Sequence, residues 1–228
     1  MMQRIGRILA ILQRRKRLKA SDFSIISNTC IGGVISNSLG EQQRSPTVNL
    51  VIYEEEFLTF CQNLKHYANC PLEIPLEAEK QDFANVNYPI GIVRGGKLPD
   101  IHVYFVHYGS FSEAKEKWVK RFARVNYEKL YFLMDRGMDA RDDILDAFHA
   151  LPCQNKVFFT HKEDKSRWPN TFRFHYYNET DYKNAYMYQP IRRGLLEYRI
   201  LDEFDYVQWL NDGTIQPNAT FLKLKCNS

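Results

Sequence analysis

Four apolar runs in this chain end in residues that can hydrogen-bond or titrate. "FSIISNTCIGG" (residues 23–33) delivers Ser27, Asn28 and Cys30 ahead of Gly32 and Gly33. Residues 101–108 deliver His107 and Tyr108, residues 130–135 deliver Asp135 and then Arg136, and residues 156–161 deliver His161. If these runs are strands of an open α/β sheet, the residues lie beyond their carboxyl ends, where such sheets bind ligands. His107 is then the candidate general base, because imidazole titrates near working pH; its plainer role is a core histidine on the Val103/Phe105 face. Asp135 would bind a hydroxyl or a divalent cation, or cap the following helix. His161 is a candidate binding residue or a surface one. Asp139, Asp142 and Asp143 fall at the start of a helix, where acids suit the dipole. No metal-ligand set is assigned.

Lys117, Arg121 and Arg124 recur at i, i+4 and i+7, which puts three cations on one helical face. Such a row suits a diphosphate or an acidic sugar. It also suits a solvated face paired with Glu113 and Glu116. Cys30 is a nucleophile only with a base and a depressed pKa; otherwise it is a small buried thiol. The glycine pair fits neither GxxxxGK[ST] nor GxGxxG. Gly32 and Gly33 could let backbone amides approach a phosphate, or they could make a tight turn.

The elements needed to position these groups are readable in outline. Strands are expected at 23–27, 47–53, within "PIGIVRGG", and at 101–108, 130–135 and 156–161. "EEEFLTFCQNLKHYANC" reads as a helix with Phe57, Phe60, Cys61, Leu64 and Tyr67 on one face. Ser110 and Glu113 form a capping-box pattern ahead of a helix over 111–125, whose stripe is Ala114, Trp118, Phe122 and Val125. A helix over 139–151 turns Ile144, Leu145 and Phe148 inward, and "LDEFDYVQWLNDG" closes the fold, stopped by Gly213. Strand and helix alternate from 101 to 161, which predicts an α/β fold with a mainly parallel sheet flanked by helices. Residues 21–213 form one domain, with subdomains expected at 21–100 and 101–213, after a leader at 1–20 and before a tail at 214–228. From 168 onward the aromatic, polar "TFRFHYYNETDYKNAYMYQ" has no clean period.

Composition narrows the function. The 228 residues are 44% hydrophobic and 14% aromatic, a folding composition. Residues 1–19 hold seven Lys and Arg and no acid, so of 31 basic residues 24 remain against 27 acids, and the body is about −3. That sign excludes a broad nucleic-acid surface. Five cysteines without a CxxC pair exclude a zinc ribbon and a disulfide framework, and point to reduced thiols in the cytoplasm. The leader has apolar residues at 5, 8, 9 and 12. It is too short and charged to span a bilayer and lacks a signal-peptide pattern. Two readings stay open: a helix lying on an anionic membrane surface, or a leader helix packed on the body.

"SDFSIISNTCIGG", "SPTVNLVIYEEEFLTF", "HYGSFSEAKEKWVKRFARVN", "LPCQNKVFFT" and "FDYVQWLN" occur in that order. Together they resemble a bacterial family that carries a domain-of-unknown-function label and is associated with exopolysaccharide and capsule biosynthesis loci. The resemblance spans about residues 21–213. It implies an α/β fold of two related subdomains and a part in polysaccharide assembly; no reaction comes with it. Matching positions are Asn28, Cys30, Gly32, Gly33, His107, Tyr108, Lys117, Trp118, Arg121, Arg124, Asn126, Asp135 and Lys156, whereas Ile31 stands where an aromatic is expected. The resulting expectation is a glycosyltransferase-like enzyme acting on a nucleotide sugar or a lipid-linked glycan. Lys117, Arg121 and Arg124 would hold the anionic part, His107 would deprotonate the acceptor and Asp135 would bind a donor hydroxyl or ion. Asn28, Cys30, Gly32, Gly33, Tyr108 and His161 would line the site, at the inner membrane face. The rival readings are an acyl or phosphoryl transferase using Cys30 or His107, and a non-catalytic glycan-binding subunit using the Tyr-rich C-terminal part.

Overall fold

The computed structural model describes residues 2–83, 86–135, 141–175, 191–193 and 196–226. Its strands are β1 (Ser24–Ser27), β2 (Leu72–Glu73), β3 (Ile90–Val93), β4 (Ile101–Tyr104), β5 (Leu130–Asp135), β6 (Lys156–Thr160), β7 (Thr171–Arg173), β8 (Ile191–Arg193) and β9 (Leu196–Tyr198). Its α-helices are α1 (Met2–Arg17), α2 (Ile31–Leu39), α3 (Glu54–Gln62), α4 (Leu64–Tyr67), α5 (Phe111–Phe122), α6 (Asp142–Ala150), α7 (Tyr206–Asp212) and α8 (Ala219–Cys226). Arg136 and Asp139 lie outside the described residues.

The central sheet is four-stranded and parallel, in the order β1-β5-β6-β7. The period-two alternation of its strands splits the core in two. Ile26, Phe132, Met134 and Phe158 face α3, α5, α6 and the second sheet. Ile25, Tyr131, Leu133, Val157 and Phe159 face α2 and α7. Both faces are covered, as parallel sheets require. The fold is therefore α/β, as read from sequence. The sheet joins β1 to strands beyond residue 100, so the two halves share it.

β4 departs from expectation. The 101–108 strand ends at Tyr104 and pairs antiparallel with β3 in a separate three-stranded sheet. Its outer edge is bridged by Val51, and the chain then turns, with Tyr108 N–H donating to Phe105 O. Residues 47–53 form only that single bridge, because Asn49 has φ 63° and interrupts the extended path. The helix expected from residue 54 breaks at Asn63 into α3 and α4, yet Phe57, Phe60, Cys61, Leu64 and Tyr67 are all buried as predicted. The closing helix also breaks: a 3-10 turn, Ile200–Glu203, precedes α7, which Asp205 caps and Gly213 (φ 81°) ends.

α5 starts where its sequence says but ends at Phe122, short of the expected 125, so that Val125 lies beyond the helix. Ser110 Oγ accepts from Glu113 N–H, and Trp118 and Phe122 are buried against Phe60. α1 packs on the body through Ala10 and two ion pairs, Arg14–Asp202 (2.8 Å) and Arg17–Asp205 (2.5 Å). No helix among the described residues is long and apolar enough to cross a membrane.

His149 on α6 makes the fold acid-sensitive. Both ring nitrogens are buried without a hydrogen-bond partner among the described residues, and the ring lies parallel to Trp168. Burial, then nearby Lys156, hold its pKa down to about 4, from 6.5. Between those values the unfolded imidazole binds the proton and the folded one does not, so stability falls as pH drops from about 6.5 toward 4. His149→Phe is expected to shrink the gap between urea midpoints at neutral and acid pH. An unchanged gap would assign the acid limb to other groups.

Candidate functional site

β1 hands the chain to α2 through Asn28, Thr29 and Cys30. Asn28 is buried and its amide is fully engaged: Nδ2 donates to Asp135 O (3.1 Å) and Oδ1 accepts from Asp135 N–H (2.8 Å). Its own carbonyl accepts from Ile52 N–H (2.9 Å). Asn28 thus pins the carboxyl end of β1 to that of β5 and brings residues 52–54 alongside. In this arrangement it positions the backbone of Asp135.

The glycine pair has a packing explanation. A Cβ on Gly32 would meet Ser27 Oγ at 2.7 Å, and one on Gly33 would meet Val48 Cγ1 at 2.8 Å. These residues let the first turn of α2 close onto β1 and onto the 47–50 segment. Gly32 N–H already donates to Ser27 Oγ (3.0 Å), so this amide is not offered to a phosphate. Cys30 precedes α2 with its Sγ 3.8 Å from Leu50 O, and burial pushes the thiol up to about 11. At neutral pH it is a protonated thiol, not an activated nucleophile.

The carboxyl rim of the parallel sheet gathers a different set. Asp135 ends β5, buried, level with Phe159 and Phe172. His161, half-buried, follows β6. Past β7 the ladder continues by one bond, Phe174 N–H to Thr160 O, and reaches His175. There the backbone N–H (2.8 Å) and Nδ1–H (2.9 Å) both donate to Oε1 of Glu203. Glu203 is wholly buried (0%), whereas the His175 side chain is 59% exposed. An ionised carboxylate only accepts, so Nδ1 is the donor in this bond, and in a neutral ring Nε2 is then the acceptor. Asp135, His161 and His175 thus lie at or just past the carboxyl ends of the neighbouring strands β5, β6 and β7.

His175 was not singled out from sequence. It lies in the aperiodic aromatic stretch, and its partner is 28 residues away in a segment read as a plain helix. The only local signal was one histidine directly after the alternating "TFRF" run.

Two expected site groups lie elsewhere. His107 sits exposed in the turn after β4. It is on neither the Val103/Phe105 core face nor the end of a parallel strand. Lys117, Arg121 and Arg124 line a cavity of about 380 Å³ with Asn37, Glu41, Gln43 and Lys120. α2 and α5 cover opposite sheet faces, so a cavity lined by both lies along the free edge of β1. Arg121 donates to Tyr108 Oη (2.5 Å) and to Gln43 Oε1 (2.7 Å), and Tyr108 Oη donates to Val48 O (2.7 Å). Lys117 pairs with Glu113 and lies over the Tyr108 ring. Burial raises the Tyr108 phenol, with Arg121 opposing. Asn28, His107, Asp135 and His161 do not line this cavity. The single pocket expected from sequence is thus two places: an imidazole–carboxylate rim and a cationic cavity beside β1.

A larger cavity of about 620 Å³ opens at the other edge of the sheet, lined by Asn63, Lys65, Tyr127, Leu130, Cys153 and Asn155 among others. Leu130 begins β5 and Asn155 precedes β6, so this is the amino edge. Cys61 and Cys153 there are both pushed up by burial. Position and reactivity both favour the carboxyl rim over the larger cavity. Among the described residues no group of three His, Cys, Asp or Glu is placed to hold a metal ion.

A family model described as "Domain of unknown function (DUF1919)" matches residues 1–211, which takes in α1. The chain is also similar to an uncharacterized protein of Haemophilus influenzae, 32% identical over 198 residues that cover 86% of this chain and 88% of that one. With a match over nearly its whole length, the chain belongs to the DUF1919 family.

Proposed function

We propose that the protein is a transferase of cell-surface polysaccharide assembly, glycosyltransferase-like, whose base is His175. The observation that carries this is the exposed imidazole held by a buried carboxylate at the carboxyl rim of the parallel sheet. His175 Nε2 takes the proton of an acceptor hydroxyl as its oxygen attacks the donor's anomeric carbon. The bond to the leaving diphosphate breaks with its electron pair, and Glu203 stabilises the imidazolium that forms. Asp135, held by Asn28, receives a donor hydroxyl. The substrate class comes from the resemblance to proteins of capsule and exopolysaccharide loci. Separation of the cationic cavity from the rim favours an acidic sugar over the donor diphosphate as the partner of Lys117, Arg121 and Arg124. The high thiol pKa of Cys30 weighs against the acyl-transfer alternative. Work at the inner membrane face belongs to this reading, since lipid-linked acceptors lie there.

The test is a thermal-shift screen of nucleotide sugars, with and without Mg²⁺ or Mn²⁺, followed by a transfer assay on hits. A donor at a hundredfold excess over its Kd stabilises by about 2.7 kcal/mol, or about 5–10 °C for a chain of this size. No shift with any nucleotide sugar would reject the glycosyltransferase reading.

A further inference from the structure

α1 is mounted the wrong way round for a helix that merely covers the body. Arg14 and Arg17 point inward, paired with the buried carboxylates of Asp202 and Asp205, and Ala10 is buried beside them. Three large aliphatic residues point outward: Ile8 (48% exposed), Leu9 (38%) and Leu12 (57%). On a 100° wheel, Ile8, Leu12, Arg15 and Lys16 fall at i, i+4, i+7 and i+8, on one outward sector with Leu9 at its border, and Lys19 follows just past the helix end at Arg17. Arg15, Lys16 and Lys19 are all exposed. The outward surface is therefore aliphatic toward the amino end and cationic toward the carboxyl end, and residues 1–19 contain no acid.

We infer that this face is a docking surface for an anionic phospholipid bilayer. The aliphatic side chains enter the acyl boundary while the cations meet headgroup phosphates, as interfacial helices do. Charge complementarity selects this occupant. Arg15 lies 3.6 Å from Glu41, which leaves Lys16 and Lys19 as the cations that a neutral apolar partner would not match, and a second copy in antiparallel register would bury those cations against Ile8 and Leu12. The two inward ion pairs fix the helix to the body, so the fold presents a preformed surface and need not order one on binding. The inference deepens the membrane part of the proposed function and is independent of the transfer chemistry.

The test is sedimentation of the full chain with vesicles of phosphatidylcholine alone or mixed with phosphatidylglycerol, with no sugar donor present. Wild type is expected to bind only the mixed vesicles, and more weakly as salt is raised. The pair Leu9→Ser and Leu12→Ser should lower partitioning by about tenfold or more. The triple change Arg15→Gln, Lys16→Gln and Lys19→Gln should lower it by about fivefold per charge. Val119→Ser, an equally exposed aliphatic site on α5, should change nothing. These positions are exposed, so the variants keep the fold, which circular dichroism checks. Wild type that stays in the supernatant overturns the proposal. So do outward-face variants that bind as wild type does, or apolar variants that lose only self-association by light scattering. Because vesicle binding needs no donor, failure here leaves the transferase reading standing, and loss of transfer leaves this surface standing.

Discussion

His175→Asn is expected to lower sugar transfer by about 10²–10⁴-fold, the range for loss of a positioned general base, with the unfolding midpoint nearly unchanged. Asn is the informative replacement. Its amide N–H reaches roughly where Nδ1–H sits, so buried Glu203 keeps a donor in addition to the His175 backbone N–H. What vanishes is the outward Nε2. Glu203→Gln should give a smaller loss in kcat with KM little changed, because it touches the imidazole and not the substrate. His107→Ala, in its exposed turn, should transfer as wild type does. A His175→Asn enzyme that retains full activity would remove the dyad from the mechanism and with it the main support for the rim as the reacting site.

The contrast between His107 and His175 marks where sequence reading succeeded and where it stopped. The short apolar runs "LYFLMD" and "KVFFT" sufficed to identify β5 and β6, and the structure then divides Phe132 and Met134 from Tyr131 and Leu133 between the two faces. The Ser110 cap and the Trp118 stripe likewise follow from local chemistry. "IHVYFVHY" alternates just as well, but alternation does not say which sheet a strand joins. That was decided by the neighbouring strand Ile90–Val93, which folds back onto it antiparallel, and by the single bridge to the remote Val51. With β4 in the antiparallel sheet, His107 left the rim.

Side-chain surroundings were less legible for a related reason. Asn28 has the right chemistry for a ligand, yet its amide is spent on the backbone of Asp135, 107 residues later. The cations of α5 share a face as their spacing demands, but which end of the sheet that face meets is a tertiary fact. Gly32 and Gly33 looked like a phosphate loop because close helix–strand packing and close phosphate approach both require a missing side chain.

Asp202→Ala should be among the most destabilising single changes in the chain, at about 3–5 kcal/mol, the usual penalty for breaking a buried ion pair. One carboxylate serves three donors. Oδ2 accepts from Arg14 Nη2 (2.8 Å) and from Arg199 N–H (2.7 Å), and Oδ1 accepts from Tyr206 Oη (2.6 Å). The Arg14 side chain is only 13% exposed and that of Asp202 3%. Alanine would therefore take the carboxylate away from a nearly buried guanidinium beside Tyr198 and Tyr206 and leave the buried Tyr206 hydroxyl without its Asp202 acceptor. Asp202→Asn keeps acceptor oxygen for Tyr206 but loses the charge, and should cost less. Arg14→Ala should cost less again, since Asp202 keeps Tyr206 Oη and Arg199 N–H. The measurement is urea unfolding of both single variants and of the double variant. Since whole domains are stable by only about 5–15 kcal/mol, the Asp202→Ala midpoint should fall steeply, and the cycle should return a coupling of about 0.5–3 kcal/mol. A coupling near zero would mean that α1 rests on the body without being fastened to it. The outward face would then have to order on the bilayer, with the entropy of that ordering charged against binding.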